Sequence, residues 1–182
     1  MVEIIPQKKL KQQRRLRKKQ EKVDKITHQV IQIKRVSKVV KGGKKLSFRA
    51  VVIVGANSGL VGIGIGKADD VMNAINKAIS KGKKKLITIP ITKTKTITHF
   101  VEGFYGSCNV ILKPSRSGSG VIAGSSIRTV LEVAGVRNVL AKQIGSNNLL
   151  NSARATLEGL KQLQTINQVA KTRNILIDSL YR

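Results

Sequence analysis

The sequence predicts an α+β protein in two parts, a three-stranded antiparallel sheet with one helix followed by a second α/β unit. Three observations carry this. Leu46, Phe48, Ala50, Val52 and Val54 alternate with mostly polar positions, the period of a half-buried strand. Val71, Ala74, Ile75, Ala78 and Ile79 then repeat at helical spacing. Beyond residue 91 strand and helix patterns alternate again, so a second layered unit is expected. With 182 residues and 41% apolar content, the chain is long enough for one ordinary domain or two small ones.

Taken in order, residues 1–25 form a basic extension with too few apolar side chains to bury a face, and are expected to be disordered. Residues 26–40 are rich in Val and Ile, and Lys41-Gly42-Gly43-Lys44 is a turn into the alternating strand, so an antiparallel hairpin is expected. Asn57-Ser58-Gly59 is a second turn, and Leu60 to Gly66 supplies a third strand. In that strand Gly62, Gly64 and Gly66 alternate with Val61, Ile63 and Ile65, leaving one face without side chains where something large is expected to come close: RNA or the neighbouring domain. Asp69 and Asp70 suit a helix N-terminus, and Gly82 with Lys81, Lys83, Lys84 and Lys85 suits its end.

The Ile- and Thr-rich segment from Leu86 to Val101, interrupted by Pro90, is a crossover that places a domain boundary between residues 90 and 91. A strand over Cys108–Lys113, a helix near Ile122–Ala134 ended by Gly135, and a strand near Asn138–Ala141 follow. Ser146-Asn147-Asn148 then caps a helix with the stripe Leu149, Ala153, Leu157 and Leu160. The second domain is therefore expected over 91–163, with a weakly patterned tail over 164–182.

Charge narrows the function. Thirty-five Lys and Arg against nine Asp and Glu give a formal net charge of +26, which points to a polyanionic partner. The bias lies toward the N-terminal side: residues 26–90 carry thirteen basic groups and two acidic ones, residues 91–160 only eight and three. No aromatic-bearing amphipathic stretch favours a membrane surface, and no apolar run approaches the roughly 18 residues of a span. The single cysteine, Cys108, leaves no internal disulfide and fits a reducing compartment.

Catalytic patterns are absent from the sequence. The run ending in Gly66-Lys67 has Val61 where a Walker loop needs its first glycine and Ala68 where it needs a hydroxyl. A dinucleotide fingerprint must turn from strand to helix, which the strand period here forbids. Gly59 to Gly62 has the spacing of a KH-domain loop but runs into a strand instead of joining two helices. His28, His99 and Cys108 cannot make a zinc quartet, and Glu102, Glu132 and Glu158 fall on separate elements. The expectation is a protein that is not an enzyme and has no cofactor, metal or small-molecule substrate. Ser117 to Gly120 precedes a predicted helix and could offer bare N–H groups to an RNA phosphate, although a plain flexible turn explains it equally well.

Four segments, VSKVVKGGKKLSFRAVVIVG, GLVGIGIGKA, KPSRSGSGVIAGSSIRTVLEVAGVRNVLAK and GSNNLLNSARATLEGL, strongly resemble small-subunit ribosomal protein S five of the bacterial type. The resemblance spans about residues 26–162. It implies a double-stranded-RNA-binding-like domain over 26–90, a second domain of left-handed βαβ type, and no enzymatic activity. It further implies binding to small-subunit rRNA, contact with ribosomal proteins S four and S eight, and a position near the mRNA entry path with effects on decoding accuracy. Val36 to Gly43 matches the family's hairpin loop that reaches into rRNA near the spectinomycin site. Candidate rRNA contacts are Arg35, Ser37, Lys38, Lys41, Gly42, Gly43, Lys44, Lys45, Arg49, Lys67, Lys83, Lys84, Lys85, Arg116, Ser117 and Gly118. Gly106 and Cys108 are candidates for the contact with protein S four, and Cys108 departs from the basic residue many relatives carry there.

An RNA-binding regulator outside the ribosome would share this charge and domain order. Abundant Ile, Lys and Asn suit an A+T-rich gene, favouring a ribosome in the plastid stroma over one in a bacterial cytoplasm.

Overall fold

The computed structural model describes residues 26–175 together with 177 and 179. The expected disorder of residues 1–25 lies outside the described residues.

The first sheet has the order β1-β2-β3-β4, with every pairing antiparallel: β1 Thr27–Val40, β2 Gly43–Ala56, β3 Leu60–Ala68 and a two-residue β4 Ile87–Thr88. The expected three strands thus gain a short fourth from the crossover, paired through Leu60 with Thr88 and Val61 with Ile87. Helix α1 Val71–Lys83 lies on this sheet. Asp70 is its N-cap, although its carboxylate accepts from Asn73 Nδ2 at 3.0 Å instead of from a backbone N–H. The segment from Val36 to Gly43, matched above to a hairpin loop, is mostly strand. Val36, Val39 and Val40 are β-branched, and pairing continues until Val40 meets Gly43, so only Lys41 and Gly42 turn. Gly42 takes φ +94, a conformation glycine adopts without steric cost.

What approaches the bare face of β3 is α1 itself, neither RNA nor the neighbouring domain. A Cβ built on Gly64 would lie 1.9 Å from the Ala78 carbonyl oxygen, and one on Gly66 2.0 Å from that of Ala74. The helix needs small residues for the same approach, and its buried positions are Ala74, Ala78 and Gly82. Ala50, Val52 and Val54 of β2 close this layer.

The second sheet has the order β5-β6-β8-β7, formed by β5 Val101–Tyr105, β6 Cys108–Pro114, β7 Val121–Ile122 and β8 Val139–Gly145. The sequence pattern did not reveal β5, whose burial is confined to Val101 and Gly103. Strand β7, helix α2 Ser125–Ala134 and strand β8 make a βαβ unit, β7 running parallel to β8. Gly135 ends α2 in the left-handed conformation at φ +91. Helix α3 Leu149–Lys161 starts at Asn148, whose side chain accepts from the Leu150 N–H at 3.1 Å. The strand–helix contact recurs here: a Cβ on Gly103 would lie 2.1 Å from the Ala155 carbonyl oxygen. The tail expected from residue 164 contains a further helix, α4 Ile166–Arg173, started by a capping box between Thr165 and Gln168. His99 ties it down, its Nδ1 on the Phe100 carbonyl at 2.8 Å and its Nε2 receiving the Gln164 N–H at 3.2 Å.

The two sheets share one apolar core. The positions of β2 facing away from α1, expected to be mostly polar, include Val51 and Ile53, both fully buried. Ile53 and Val61 join the cluster that holds Val110, Leu112, Ile127, Val130 and Leu131 of the second unit. The end of α2 seats on the β2–β3 turn, where the Gly59 N–H donates to the Ala134 carbonyl at 3.0 Å and a Cβ on Gly55 would lie 2.9 Å from Val133 Cγ1.

This packing makes the third strand intolerant of side chains. Gly64→Val should lower stability by on the order of 3 kcal/mol, about 10 °C in Tm for a chain this size, because a helix backbone cannot yield as a rotamer can. Gly124→Ala should shift Tm little, since its Cβ would meet only Gln143 Oε1 at 3.8 Å. Thermal unfolding of both variants checks this; equal melting of Gly64→Val and the unsubstituted chain would refute the helix-on-glycine contact.

Candidate nucleic-acid interface

Strand pairing sorts the basic residues of the hairpin onto faces. Lys34 pairs with Arg49, which pairs with Lys67, so three cations form a row across three strands. Lys38 pairs with Lys45 farther along the same face. This face also carries the buried Val51 and Ile53, and Ile53 joins the core of the second unit, so it changes from apolar to cationic where that cover ends. The row Lys34–Arg49–Lys67 holds three like charges side by side, a repulsive arrangement in the isolated protein. Among the described residues only Lys45 of these five reaches an acid, Asp69 at 3.9 Å, and both side chains are largely exposed, so the pair contributes little. Asp69 also accepts from Ser47 Oγ at 3.4 Å, which ties the ribbon to the start of α1.

Cations on an edge strand also guard it against pairing with other chains, and β1 is such an edge, irregular between Val30 and Gln32. That role does not account for Arg49, which lies on the inner strand β2, paired on one side with Lys34 and on the other with Lys67. The opposite face of the ribbon carries Arg35, Ser37 and Lys44 among exposed apolar groups: Ile33, Val39 and Leu46. Lys41 and Gly42 form the tip, where a Cβ on Gly42 or Gly43 would meet nothing within 4 Å. Lys34 is absent from the residues the sequence singled out; its pairing with Arg49 across the strands is the signal that includes it.

The remaining candidates do not gather at the ribbon. Helix α1 runs back along β3, from Ala74 over Gly66 to Gly82 by Gly62, so Lys83, Lys84 and Lys85 lie at the far end of the sheet, roughly 20 Å away at strand rise. There Lys84 and Lys85 line a cleft together with Arg154 and Lys161 of α3, which the sequence did not single out. Arg116, Ser117 and Gly118 belong to an exposed turn of the second unit, held by Ser119 Oγ donating to the Arg116 carbonyl at 2.9 Å. The reading of Ser117–Gly120 as a bare anion cradle at a helix start is not supported. Strand β7 intervenes before α2, and the Gly118 N–H already donates to Asn138 Oδ1 at 3.0 Å.

Gly106 is exposed in the β5–β6 turn at φ +60, available to a partner. Cys108 is not: it is 1% exposed within the core, because alternation along β6 turns it inward with Val110 and Leu112. Asn109 lies on the opposite face, half-buried between Phe104 and Ile144 across the sheet, with its Oδ1 inaccessible and without a hydrogen-bond partner among the described residues. Among the described residues no three His, Cys, Asp or Glu side chains are grouped to hold a metal, and no helix is long and apolar enough to cross a membrane.

Similarity to known proteins agrees with this geometry. The family model described as Ribosomal protein S5, N-terminal domain, matches residues 26–90, and that of the Ribosomal protein S5, C-terminal domain, matches residues 103–173. Small ribosomal subunit protein uS5c of Pyropia yezoensis is 57% identical over 152 residues, covering 84% of this chain and 87% of the relative. The uS5c protein of Trieres chinensis is 60% identical over 151 residues, 83% of this chain and 82% of its own. Small ribosomal subunit protein uS5 of Nostoc punctiforme is 57% identical over 171 residues, 93% of this chain and 98% of its own.

Burial pushes the Cys108 thiol above its ordinary range, since desolvation penalises the thiolate. The folded state therefore holds its proton more tightly than the unfolded chain. Stability from this group is complete below the ordinary thiol pKa of about 8.5 and falls as pH rises through it. Alkylation of the native chain at pH 8 should run at least about tenfold slower than in urea, as expected of a thiol reached only by opening. Equal rates would place Cys108 at the surface.

Proposed function

The chain belongs to the ribosomal protein S5 family and is a structural constituent of the small ribosomal subunit, and from that premise we propose that residues 26–90 anchor it by gripping small-subunit rRNA with the β1–β2 ribbon. The observation carrying this reading is the cationic row Lys34–Arg49–Lys67, extended by Lys38 and Lys45 along one face. Two strands with a tip of Lys41 and Gly42 are narrow enough to lie against a backbone groove, with lysines reaching phosphates on either side. Shape and phosphate contact, not base edges, are what such a surface reads.

The second unit fits contacts with ribosomal proteins. Phe104 is 59% exposed beside Gly106, and Ile144 is half-exposed across the sheet from it, an apolar patch suited to a protein neighbour. We assign the contact with protein S four to this edge through Gly106 and its outward neighbours, with Cys108 acting only as core. Contact with protein S eight and a position near the mRNA entry path, with influence on decoding accuracy, follow the family resemblance. Relatives of the uS5c type support residence in a plastid ribosome, alongside equally similar cyanobacterial ones.

Lys41→Glu with Lys44→Glu should leave the free protein within about 0.5 kcal/mol of its original stability, because both side chains are exposed. Occupancy on reconstituted small subunits should fall, and misreading by those subunits should change, as two attractions become repulsions at phosphate. Unchanged melting, occupancy and accuracy together would reduce the ribbon tip to a connector. Loss of the unsubstituted protein from small subunits in a high-salt wash would favour a regulator acting off the ribosome.

A further inference from the structure

Between the two units lies a cleft of about 720 Å³ that the ribbon does not reach. Its rim carries Lys81, Lys84 and Lys85 from the end of α1 and Arg154 and Lys161 from α3. Lysines at the end of α1 suit its dipole, which explains their position along that helix. It does not explain why Arg154 and Lys161, from an element in the other unit, face the same space. The single acid in the lining, Glu158, is already engaged by Lys161 at 2.6 Å. With Lys161 paired to Glu158, the four cations Lys81, Lys84, Lys85 and Arg154 converge on one concavity and repel one another, and an anion relieves that repulsion.

The floor is of a different character. Ile63 and Ile65 of β3 and Leu157 of α3 line it, each only partly buried. Tyr105 stands at the wall, its hydroxyl accepting from Arg154 Nη1 and its ring 5.0 Å from the guanidinium carbon. Arg154 is thereby held in place, and a planar, partly apolar platform lies beside fixed positive charge.

We propose that this cleft is a second RNA site that takes an unpaired segment of one or two nucleotides, phosphates on the cationic rim and base or sugar against the aliphatic floor and Tyr105. The proposal rests on the reading of the chain as an rRNA-binding protein and extends it from the ribbon to the seam between the units. Its volume is that of a small-ligand pocket, of the order of 300–1,000 Å³, which admits a nucleotide and excludes a duplex. An apolar floor offers nothing to a duplex backbone, whereas splayed-out single strands stack and bury their bases. An acidic protein segment would use the rim but not the ring, so the lining favours RNA.

The test uses the full chain, with hexauridylate and a twelve-base-pair RNA duplex as separate probes and KCl as the variable. Lys84→Gln with Arg154→Gln should weaken hexauridylate binding by about three- to tenfold and flatten its log-log salt slope by about 1.4, at about 0.7 per single-strand phosphate. Duplex binding should stay within about twofold, while Lys41→Gln with Lys44→Gln should do the reverse. Lys81→Gln with Lys84→Gln spares the Arg154–Tyr105 pair, so agreement between the two cleft variants rules out a folding defect. Equal weakening of both RNAs by the cleft variants, no weakening of hexauridylate, or tighter competition by hexaglutamate than by hexauridylate would each overturn the proposal. Failure of the unsubstituted chain to bind either RNA would instead overturn the rRNA reading on which it rests.

Discussion

The structure depends on β2 being covered on both faces. From Ala50 to Val54 every residue is essentially inaccessible, Ala50, Val52 and Val54 packing toward α1 and Ile53 into the core of the second unit. Full burial of one such aliphatic side chain contributes roughly 1.5–3 kcal/mol, so Ile53 and Val61, both within the core of the second unit, together give that unit a substantial hold on the first. A sheet with only one covered face would leave those side chains in water. The second unit therefore acts as the other half of a sandwich whose middle layer is the first sheet.

Close approach is the means by which this is achieved, and glycine is the recurring device. On β3 it admits the backbone of α1, on β5 Gly103 admits α3, and Gly55 makes room for Val133 of α2. On β3 and β5 the contact replaces side-chain interdigitation with backbone against backbone, which fixes the spacing of helix and strand more rigidly than flexible side chains would. Rigid seating matters for a protein whose charges must present a fixed pattern to a polyanion. The ribbon is anchored at its base by this layer and free beyond it, since from Ser37 to Leu46 every residue is exposed.

The division of surfaces follows from the same layering. The face of the first sheet that is apolar under α2 becomes cationic at Arg49, where cover ends, so one strand serves both core and interface. At the opposite end the seam between the units leaves a cleft, and charge from both units collects there. Neither arrangement follows from the local pattern of any one segment.

By itself the sequence determined most of the longer elements and the class of partner. Alternation in β2, helical spacing in α1, Gly135 as the stop of α2 and Asn148 as the start of α3 are local signals, and local hydrogen bonding and sterics act on them directly. The excess of Lys and Arg likewise needs no fold to indicate a polyanion. Tertiary structure alone decided what each face meets. Gly62, Gly64 and Gly66 mark a close approach in sequence, but only packing shows that α1 makes it. Cys108 and Asn109 differ by one position in a strand, and the sheet turns the first into the core and the second to the opposite, half-buried face. Lys34, Arg49 and Lys67 are separated by fifteen or more residues along the chain and become neighbours through strand register, as Lys84 and Arg154 do through the docking of two units. Such pairings are set by long-range burial, which no window of sequence contains.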